Sequence, residues 1–277
     1  MKKKNINVLY LLIICLFTIA TTFCLYGCNP HKNTVILHAG GGANNLRYLN
    51  SQETFDTYYN QGYRYFEYDL KLSSDGRLIG THSWENLSTQ YPSSITYQEF
   101  TQLKLSNGYT PVNEEWLVNT IKRYKDVRII VDAKMNTTEG DAKVLERIEQ
   151  LETLYNFNLS SNIIPEVFSK EMWELIKDST SFDKYIFSHY KVYYTVDQII
   201  EYFGNNKLFW AVAIPTYCDS DFASQIEDLK KIGKKILVFT PTTEPELEKA
   251  FNLGADMVYL DDPQLLVTYE ENQKNAA

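Results

Sequence analysis

The stretch Tyr63–His82, with the sequence YRYFEYDLKLSSDGRLIGTH, decides how this chain folds. Its first ten residues have the aromatic and aliphatic composition of a β-strand, and the SSDG at positions 73–76 is typical of a turn. A second apolar run, Leu78–His82, follows only a few residues later. A parallel crossover needs about a dozen residues, so the two runs cannot be parallel neighbours. We therefore predict an antiparallel hairpin over residues 63–82.

This predicted hairpin brings charged side chains together. Glu67 and Asp69 are two residues apart on one strand, so they project from the same face. Folding the chain about Ser74 and Asp75 returns His82 to the neighbourhood of Asp69. One interpretation of the YFEYDL run is that Glu67 and Asp69 are exposed to solvent or form salt bridges. We favour a metal site, because burying two carboxylates without a cation is costly.

Strand-like runs also recur outside the hairpin and alternate with helix-like stretches. They are Thr34–His38, Val127–Val131, Ile163–Phe168, Tyr185–Ser188, Phe209–Ile214, Lys235–Phe239 and Met257–Leu260. This alternation over about 240 residues predicts an α/β fold, a parallel (β/α)8 barrel of the TIM type. With the hairpin there are nine strand candidates for eight places, so one must be surplus. We predict one barrel domain over residues 34–277.

Several residues able to do chemistry stand at the ends of these strands, where α/β barrels place catalytic groups. His38 ends the first strand and His82 ends the hairpin, and two histidines can share the roles of general base and general acid. Asp132 ends a later strand and adds a third oxygen donor to Glu67 and Asp69. An all-oxygen set favours Ca²⁺ or Mg²⁺ over zinc.

Four further residues are candidates with an alternative structural interpretation. Lys134 shares the face of Asp132, and it either binds a phosphate or is an ordinary surface lysine. Gly40 and Gly41 either form a flexible loop or let backbone amides approach a substrate closely. His189 also ends a strand, but nothing else in the sequence connects it to the site.

Taken in order, these motifs resemble those of the glycerophosphodiester phosphodiesterases. The matching positions are His38-Ala39-Gly40, Glu67-x-Asp69, His82-Ser83 and Asp132-x-Lys134, with further similarity at Asn50–Glu53, Val238–Thr240 and Gly254–Pro263. The resemblance implies a parallel barrel in which Glu67, Asp69 and Asp132 hold a metal ion. It also implies that His38 and His82 are base and acid, and that a substrate glycerol hydroxyl attacks phosphorus before water opens the cyclic phosphate.

The chain departs from the family pattern at three places. Ala39 replaces an arginine that contacts phosphate in the family, Ser83 replaces an aspartate, and Pro241-Thr242 stand where Val-Asn is common. These departures bear on the substrate more than on the fold. We expect metal-dependent hydrolysis of a small glycerophosphodiester. A phospholipase C-like lyase that stops at a cyclic phosphate and a catalytically silent glycerophosphate-binding protein are the alternatives.

The N-terminus has the pattern of an export signal. Three lysines at positions 2–4 precede Val8–Leu25, a stretch that contains no charged residue. This pattern predicts a leader over residues 1–27, followed by a polar tether over residues 28–33. The LYGC at 25–28 resembles a bacterial lipobox, so a lipoprotein anchored at Cys28, an uncleaved membrane anchor and a freely secreted protein remain open. The first two place the domain outside the cytoplasm, against a membrane.

The net charge and the cysteine content exclude one class of partner and one kind of cross-link. The formal net charge is -8, and loss of the three leader lysines would make it -11. Such an acidic protein lacks the basic surface that binds nucleic acid. Cys218 is the one cysteine beyond Cys28, so an internal disulfide is excluded in the predicted domain.

Replacement of Cys28 by serine tests the predicted anchor. We expect wild-type protein to fractionate with membranes, and Cys28→Ser to lose lipid labelling and processing. An uncleaved spanning segment would instead leave Cys28→Ser in the membrane fraction unchanged, since about 20 apolar residues suffice to cross a bilayer. Recovery of all wild-type protein from the soluble cytoplasmic fraction would contradict both forms of anchoring.

Overall fold

The computed structural model describes residues 31–87, 93–105 and 108–276. The predicted leader and Cys28 lie outside these residues. His31, in the predicted tether, is buried, and its Nδ1 lies 3.8 Å from Oε1 of Glu270. The end of the tether therefore packs against the C-terminal helix. No helix in the described ranges combines the length and the apolar character needed to cross a membrane.

The described residues form nine strands, and all nine predicted runs are confirmed. They are β1 (Val35–Leu37), β2 (Tyr65–Leu72), β3 (Leu78–Gly80), β4 (Arg128–Ala133), β5 (Ile163–Val167), β6 (Tyr185–Ser188), β7 (Phe209–Pro215), β8 (Lys235–Phe239) and β9 (Met257–Leu260). Eight of them form a closed parallel sheet, because β1 pairs with both β2 and β9. The predicted (β/α)8 barrel is confirmed.

The surplus strand is β3, and the short length of β1 makes room for it. β1 pairs with Tyr65 and Phe66 at the start of β2. The last three residues of β2, Leu70–Leu72, pair antiparallel with β3. β4 covers the other edge of β2, so β1 and β3 share one edge in succession. The predicted hairpin is therefore confirmed as an addition at the carboxyl end of the barrel.

Helices follow most of the strands. They are α1 (Gln52–Asn60), α2 (Tyr97–Thr101), α3 (Glu114–Arg123), α4 (Thr138–Tyr155), α5 (Lys170–Ile176), α6 (Val196–Ile199, continued by a π-helical turn), α7 (Ser220–Lys231), α8 (Glu244–Asn252) and α9 (Gln264–Ala276). Polar side chains at Ser51, Asn113 and Thr137 accept backbone N–H groups where α1, α3 and α4 begin. Such caps satisfy amides that have no partner within the helix.

Strand alternation explains why the barrel interior changes from apolar to polar toward its carboxyl end. Ile130, Ile164 and Ile186 belong to the apolar cluster inside the barrel. The next residue on the same face of each strand is two positions later. Those residues are Asp132, Glu166 and Ser188, which line a pocket at the carboxyl end. The fold itself therefore presents a polar layer above an apolar floor.

A buried carboxylate ties the hairpin to the helices around it. Glu114 at the start of α3 is fully buried. It accepts hydrogen bonds from Nε of Arg77 at 2.5 Å, from the Leu78 amide at 3.0 Å and from Nη2 of Arg147 at 3.0 Å. These contacts join β3, α3 and α4, and so they fix the hairpin that carries His82.

Removing this carboxylate should destabilise the barrel. We expect Glu114→Ala to lower the free energy of unfolding by about 3–5 kcal/mol, because it leaves guanidinium groups without their buried partner. Urea unfolding followed by circular dichroism measures the change. The exposed neighbour Glu115 is the matched control, and its replacement by alanine should cost no more than about 0.5 kcal/mol. Equal stability of the two variants would show that Glu114 does not anchor the hairpin.

Candidate active site

Three carboxylates meet at the carboxyl end of β2 and β4. Asp69 and Asp132 are direct partners in the β2–β4 register, and Glu67 lies one inward position earlier on β2. All three are buried, and one ligand atom from each lies within 4.8 Å of the others. Glu67 Oε1, Asp69 Oδ1 and Asp132 Oδ1 are buried without a hydrogen bond. Buried polar atoms without a hydrogen-bond partner are rare in folded proteins, so these three oxygens indicate a missing partner. A set of carboxylate oxygens of this kind fits Ca²⁺ or Mg²⁺.

The raised pKa values of two of these carboxylates also indicate that the cluster lacks enough positive charge. Burial, reinforced by Asp69 and Asp132, raises the pKa of Glu67 well above its ordinary value. Burial raises the pKa of Asp132 to about 7, although Lys134 opposes the shift. Crowded carboxylates resist simultaneous ionisation, and a bound cation removes that resistance.

Lys134 points into the same cluster. Its Nζ lies 2.5 Å from Oδ2 of Asp132 and 3.4 Å from Oδ1 of Asp69. Burial works against its charge, but Asp132 and Asp69 raise the pKa of Lys134 above its ordinary value. The interpretation of Lys134 as an ordinary surface lysine is therefore wrong: it is a buried ammonium group on the wall of the pocket.

His38 is held in one orientation by a residue from the far end of the chain. Its Nδ1 lies 2.7 Å from Oδ1 of Asp261, which follows β9. An ionised carboxylate can only accept this hydrogen bond, so Nδ1 carries a proton, and in the neutral ring Nε2 keeps its lone pair. Nε2 lies 4.0 Å from Oε2 of Glu67. Arg47 in turn contacts Asp261, with Nε 3.3 Å from Oδ2.

His82 reaches the pocket from the hairpin, one residue beyond the position predicted. The amide of Thr81, not that of His82, donates to the carbonyl of Asp69 at 3.0 Å. β3 ends at Gly80, so the following residues no longer alternate as in a strand. His82 lines the pocket together with His38. Burial lowers the pKa of His82.

One pocket, with a volume of about 100 Å³, therefore unites the predicted histidines, Glu67, Asp132 and Lys134. Its described lining is His38, Tyr48, Glu67, His82, Asp132, Lys134, Glu166, Ser188, Tyr190, Phe239, Thr240 and Tyr259. Asp69 lies just behind this lining, in contact with Lys134. The structure thus brings together both predicted histidines, the three predicted metal ligands and the predicted phosphate-binding lysine.

Gly40 and Gly41 lie outside the described lining of this pocket. Both have left-handed backbones, with φ of 77° and 88°. A Cβ on Gly40 would meet the Tyr68 ring at 2.6 Å, and one on Gly41 would meet the Tyr58 ring at 2.4 Å. The Gly41 amide donates to the carbonyl of His38. The structure thus gives both glycines a packing role.

Two residues in contact with the predicted site residues carried little or no sequence signal. Asn50 brackets Asp69: its Nδ2 donates to Oδ2 and its Oδ1 accepts the Asp69 amide, both at 2.9 Å. The ring of Tyr48 lies between the two histidines, with centroids 5.1 Å from His38 and 4.5 Å from His82. Asn50 belongs to a motif that resembles the family, whereas nothing in the sequence pointed to Tyr48.

Glu166 is a further buried carboxylate in the lining of the pocket. Its Oε1 accepts a hydrogen bond from the hydroxyl of Tyr259 at 2.7 Å. Burial raises the pKa of Glu166. The alternation of β5 could have revealed this residue, since Glu166 is two positions after the inward-facing Ile164.

The glycerophosphoryl diester phosphodiesterase family model matches residues 38–265. Among solved structures, a glycerophosphodiester phosphodiesterase from Parabacteroides distasonis is 19% identical with a TM-score of 0.64, and the match covers 89% of this chain and 100% of that one. An Oleispira antarctica phosphodiesterase in complex with the product sn-glycerol-3-phosphate is 17% identical, with a TM-score of 0.66 and coverage of 86% and 96%. A glycerophosphodiester phosphodiesterase from Thermotoga maritima is 18% identical, with a TM-score of 0.63 and coverage of 85% and 97%. No curated protein matches the sequence.

Cation binding to the carboxylate cluster is directly measurable. We expect Ca²⁺ or Mg²⁺ at about a hundred times its Kd to stabilise the folded protein by about 2.7 kcal/mol. Asp69→Asn should abolish this stabilisation and the activity without unfolding the domain, whereas Asp56→Asn, at an exposed position of α1, should preserve both. Thermal unfolding with and without the ion measures the effect. Full activity after exhaustive chelation would contradict the metal assignment.

The same binding should depend on pH in a definite direction. Because the pKa of Asp132 is raised to about 7, protons compete with the cation below that pH. We therefore expect the apparent cation affinity to rise between about pH 6 and pH 8, with release of protons. Calorimetry in two buffers of different ionisation enthalpy measures the protons released. An affinity that does not change over this range would show that these carboxylates are already ionised in the free protein.

Proposed function

Because this chain belongs to the glycerophosphoryl diester phosphodiesterase family, and so is a phosphodiester hydrolase, we propose that it hydrolyses glycerophosphodiesters to glycerol phosphate and an alcohol with the aid of a divalent cation. The observation that carries the proposal is the arrangement of His38 and His82 beside Glu67, Asp69 and Asp132 around one pocket. The complex of the Oleispira antarctica phosphodiesterase with sn-glycerol-3-phosphate supports the choice of product.

His38 is the proposed general base. Its Nδ1 is engaged by Asp261, which leaves the Nε2 lone pair to take a proton from the substrate glycerol hydroxyl. A carboxylate in this position also stabilises the imidazolium that forms. The hydroxyl oxygen bonds to phosphorus as its proton moves to Nε2, and the phosphorus–oxygen bond to the leaving alcohol breaks.

His82 is the proposed general acid. The leaving alkoxide takes a proton from its ring, and burial favours loss of that proton because it lowers the pKa of His82. In the second stage the roles reverse: His82 takes a proton from water, which opens the cyclic phosphate, and His38 returns a proton to the glycerol oxygen. Each histidine ends the cycle in its starting state.

Charge neutralisation at the phosphate falls to the cation and to Lys134. When bound by the carboxylate cluster, Ca²⁺ or Mg²⁺ supplies positive charge next to the phosphoryl oxygens. Ala39, which replaces the arginine of the family, is fully buried, and its amide donates to Oε2 of Glu67 at 2.7 Å. Position 39 therefore orients a proposed metal ligand through its backbone, and the Lys134 ammonium supplies a cationic side chain to the described lining of the pocket.

Replacing either histidine should strongly reduce turnover. We expect His38→Ala and His82→Ala each to lower kcat by at least about 100-fold, the usual scale for a positioned acid or base. If the two act in one relay, the double variant should lose little more than either single variant. His31→Ala, a histidine outside the pocket, is the matched control. A His82→Ala enzyme with near-native turnover would show that His82 is not the acid.

A product assay tests the proposal against its nearest alternative. Phosphorus NMR of glycerophosphocholine with the enzyme and Ca²⁺ or Mg²⁺ should show conversion to a glycerol monophosphate. Accumulation of a cyclic phosphate would favour a lyase of the phospholipase C type. Binding of the diester without turnover would favour a silent binding protein, and would overturn the proposed hydrolysis.

A further inference from the structure

A second pocket opens beside the catalytic pocket at the carboxyl rim of the barrel. It is lined by the segments that follow β6 and β7, including His189, Tyr193, Tyr217 and Asp219, and its volume is about 230 Å³. Tyr190 lines both pockets, so the two share a wall. We call this second pocket the rim pocket.

Aromatic side chains at the rim pocket are unusually open to solvent. Tyr190, Tyr193 and Tyr217 are 56%, 60% and 65% exposed. The hydroxyl of Tyr193 donates to Oδ2 of Asp219 at 2.9 Å, which fixes the ring at the pocket. Clusters of exposed apolar faces next to a site commonly mark a ligand-binding surface.

His189 gives the rim pocket a polar group without a partner. The amide of Tyr194 donates to Nε2 of His189 at 3.0 Å, so Nε2 is an acceptor and the neutral ring carries its proton on Nδ1. This Nδ1 is buried and has no hydrogen-bond partner among the described residues. Burial lowers the pKa of His189, which keeps the ring neutral. An unpaired buried donor is costly, so an acceptor oxygen that a ligand brought within reach of this nitrogen would relieve that cost.

The surrounding charges favour a neutral ligand over a cationic one. The Lys249 ammonium lies 3.9 Å from the Tyr217 ring centroid, and the Lys134 ammonium lies 4.9 Å from that of Tyr190. Two of the aromatic faces therefore already carry a cation and would repel another. A hydroxyl group can accept from His189 and donate to Asp219, while carbon-bound hydrogens pack on the tyrosine rings.

We propose that the rim pocket binds the leaving alcohol of the diester and selects polyhydroxylated alcohols, such as an inositol or a sugar. This inference rests on the proposed function, because the glycerophosphate part of the substrate must occupy the catalytic pocket on the other side of Tyr190. The rim pocket then determines which glycerophosphodiester is the preferred substrate.

Three diesters test this assignment: glycerophosphoinositol, glycerophosphocholine and glycerophosphopropanol, which has neither hydroxyls nor charge on its alcohol. We expect the wild-type kcat/KM to be highest for the inositol ester. Tyr193→Ala should lower that value about 5- to 10-fold, the scale of one lost hydrogen bond or ring contact. The propanol ester should change by less than about twofold. Tyr193 is the residue of choice because it is exposed, whereas His189 is buried and its loss could disturb folding.

One control and a second variant of the rim pocket accompany Tyr193→Ala. Leu154→Ala, at an exposed position near the end of α4, should leave all three substrates unchanged. Asp219→Asn removes the negative charge but keeps a good N-cap for α7, since asparagine and aspartate cap helices equally well. Because the surrounding charges favour a neutral ligand, this variant should affect the choline ester little.

Different results in these assays separate a failure of the rim-pocket assignment from a failure of the proposed hydrolysis. Equal loss on the inositol and propanol esters in Tyr193→Ala, or no loss on either, would overturn the rim pocket while hydrolysis stands. A preference for the choline ester that Asp219→Asn removes would assign the pocket to a cation.

If no diester is hydrolysed, the proposed function fails, and saturation-transfer NMR with free myo-inositol tests the rim pocket by itself. A signal in wild type that Tyr193→Ala loses would support the rim pocket, and no signal in wild type would overturn it.

Discussion

The structure depends on how the barrel accommodates three buried carboxylates that lie within 4.8 Å of one another. Bringing such groups out of water with their charges intact is prohibitive unless positive charge accompanies them. In the described residues that charge comes from Lys134, which contacts Asp132 and Asp69. One ammonium group does not balance the cluster, and each carboxylate still has one oxygen without a hydrogen bond. The proposed divalent cation would resolve this imbalance and would place positive charge where the phosphate of the proposed substrate binds.

Hydrogen bonds from neighbouring segments fix the positions of two of these carboxylates. Asn50, in a left-handed conformation before α1, grips both the side chain and the amide of Asp69. The backbone of Asn50 is itself fixed, since its amide donates to the carbonyl of Ala39 and its carbonyl accepts from Val112. Ala39 in turn donates to Glu67. The segment after β1 therefore serves as a scaffold for two of the proposed metal ligands, which explains why a strand of three residues is followed by such irregular backbone.

Much of this arrangement could be predicted from the sequence. The strands, the hairpin and the side-chain parity of Glu67 and Asp69 follow from local pattern, because strand geometry acts over two to ten residues. The exact place of His82 did not follow, since β3 ends at Gly80 and the period of two ends with it. The partner of His38 is Asp261, 223 positions away, and only closure of the barrel between β1 and β9 brings them together. Sequence similarity had marked the segment that holds Asp261 without giving that residue a role.

The rim pocket could not be predicted from local sequence pattern either. His189 was recognisable as a strand-end histidine, but its chemistry depends on the amide of Tyr194 and on the rings packed around it. Tyr190 and Tyr217 come from different loops, so nothing in the local pattern of either segment indicates that they line one pocket. Loops at the carboxyl rim of a barrel set substrate choice while the strands below retain the shared chemistry.

Diffraction from crystals soaked in Mn²⁺ would test the central claim most directly, because manganese takes the same oxygen ligands as magnesium and calcium and has an anomalous signal. We predict a single strong anomalous peak between Glu67, Asp69 and Asp132, at about 2.1–2.4 Å from one oxygen of each. The Lys134 ammonium should be displaced from its position between Asp132 and Asp69. A cluster without an anomalous peak, with Lys134 still bridging the two aspartates, would contradict the account.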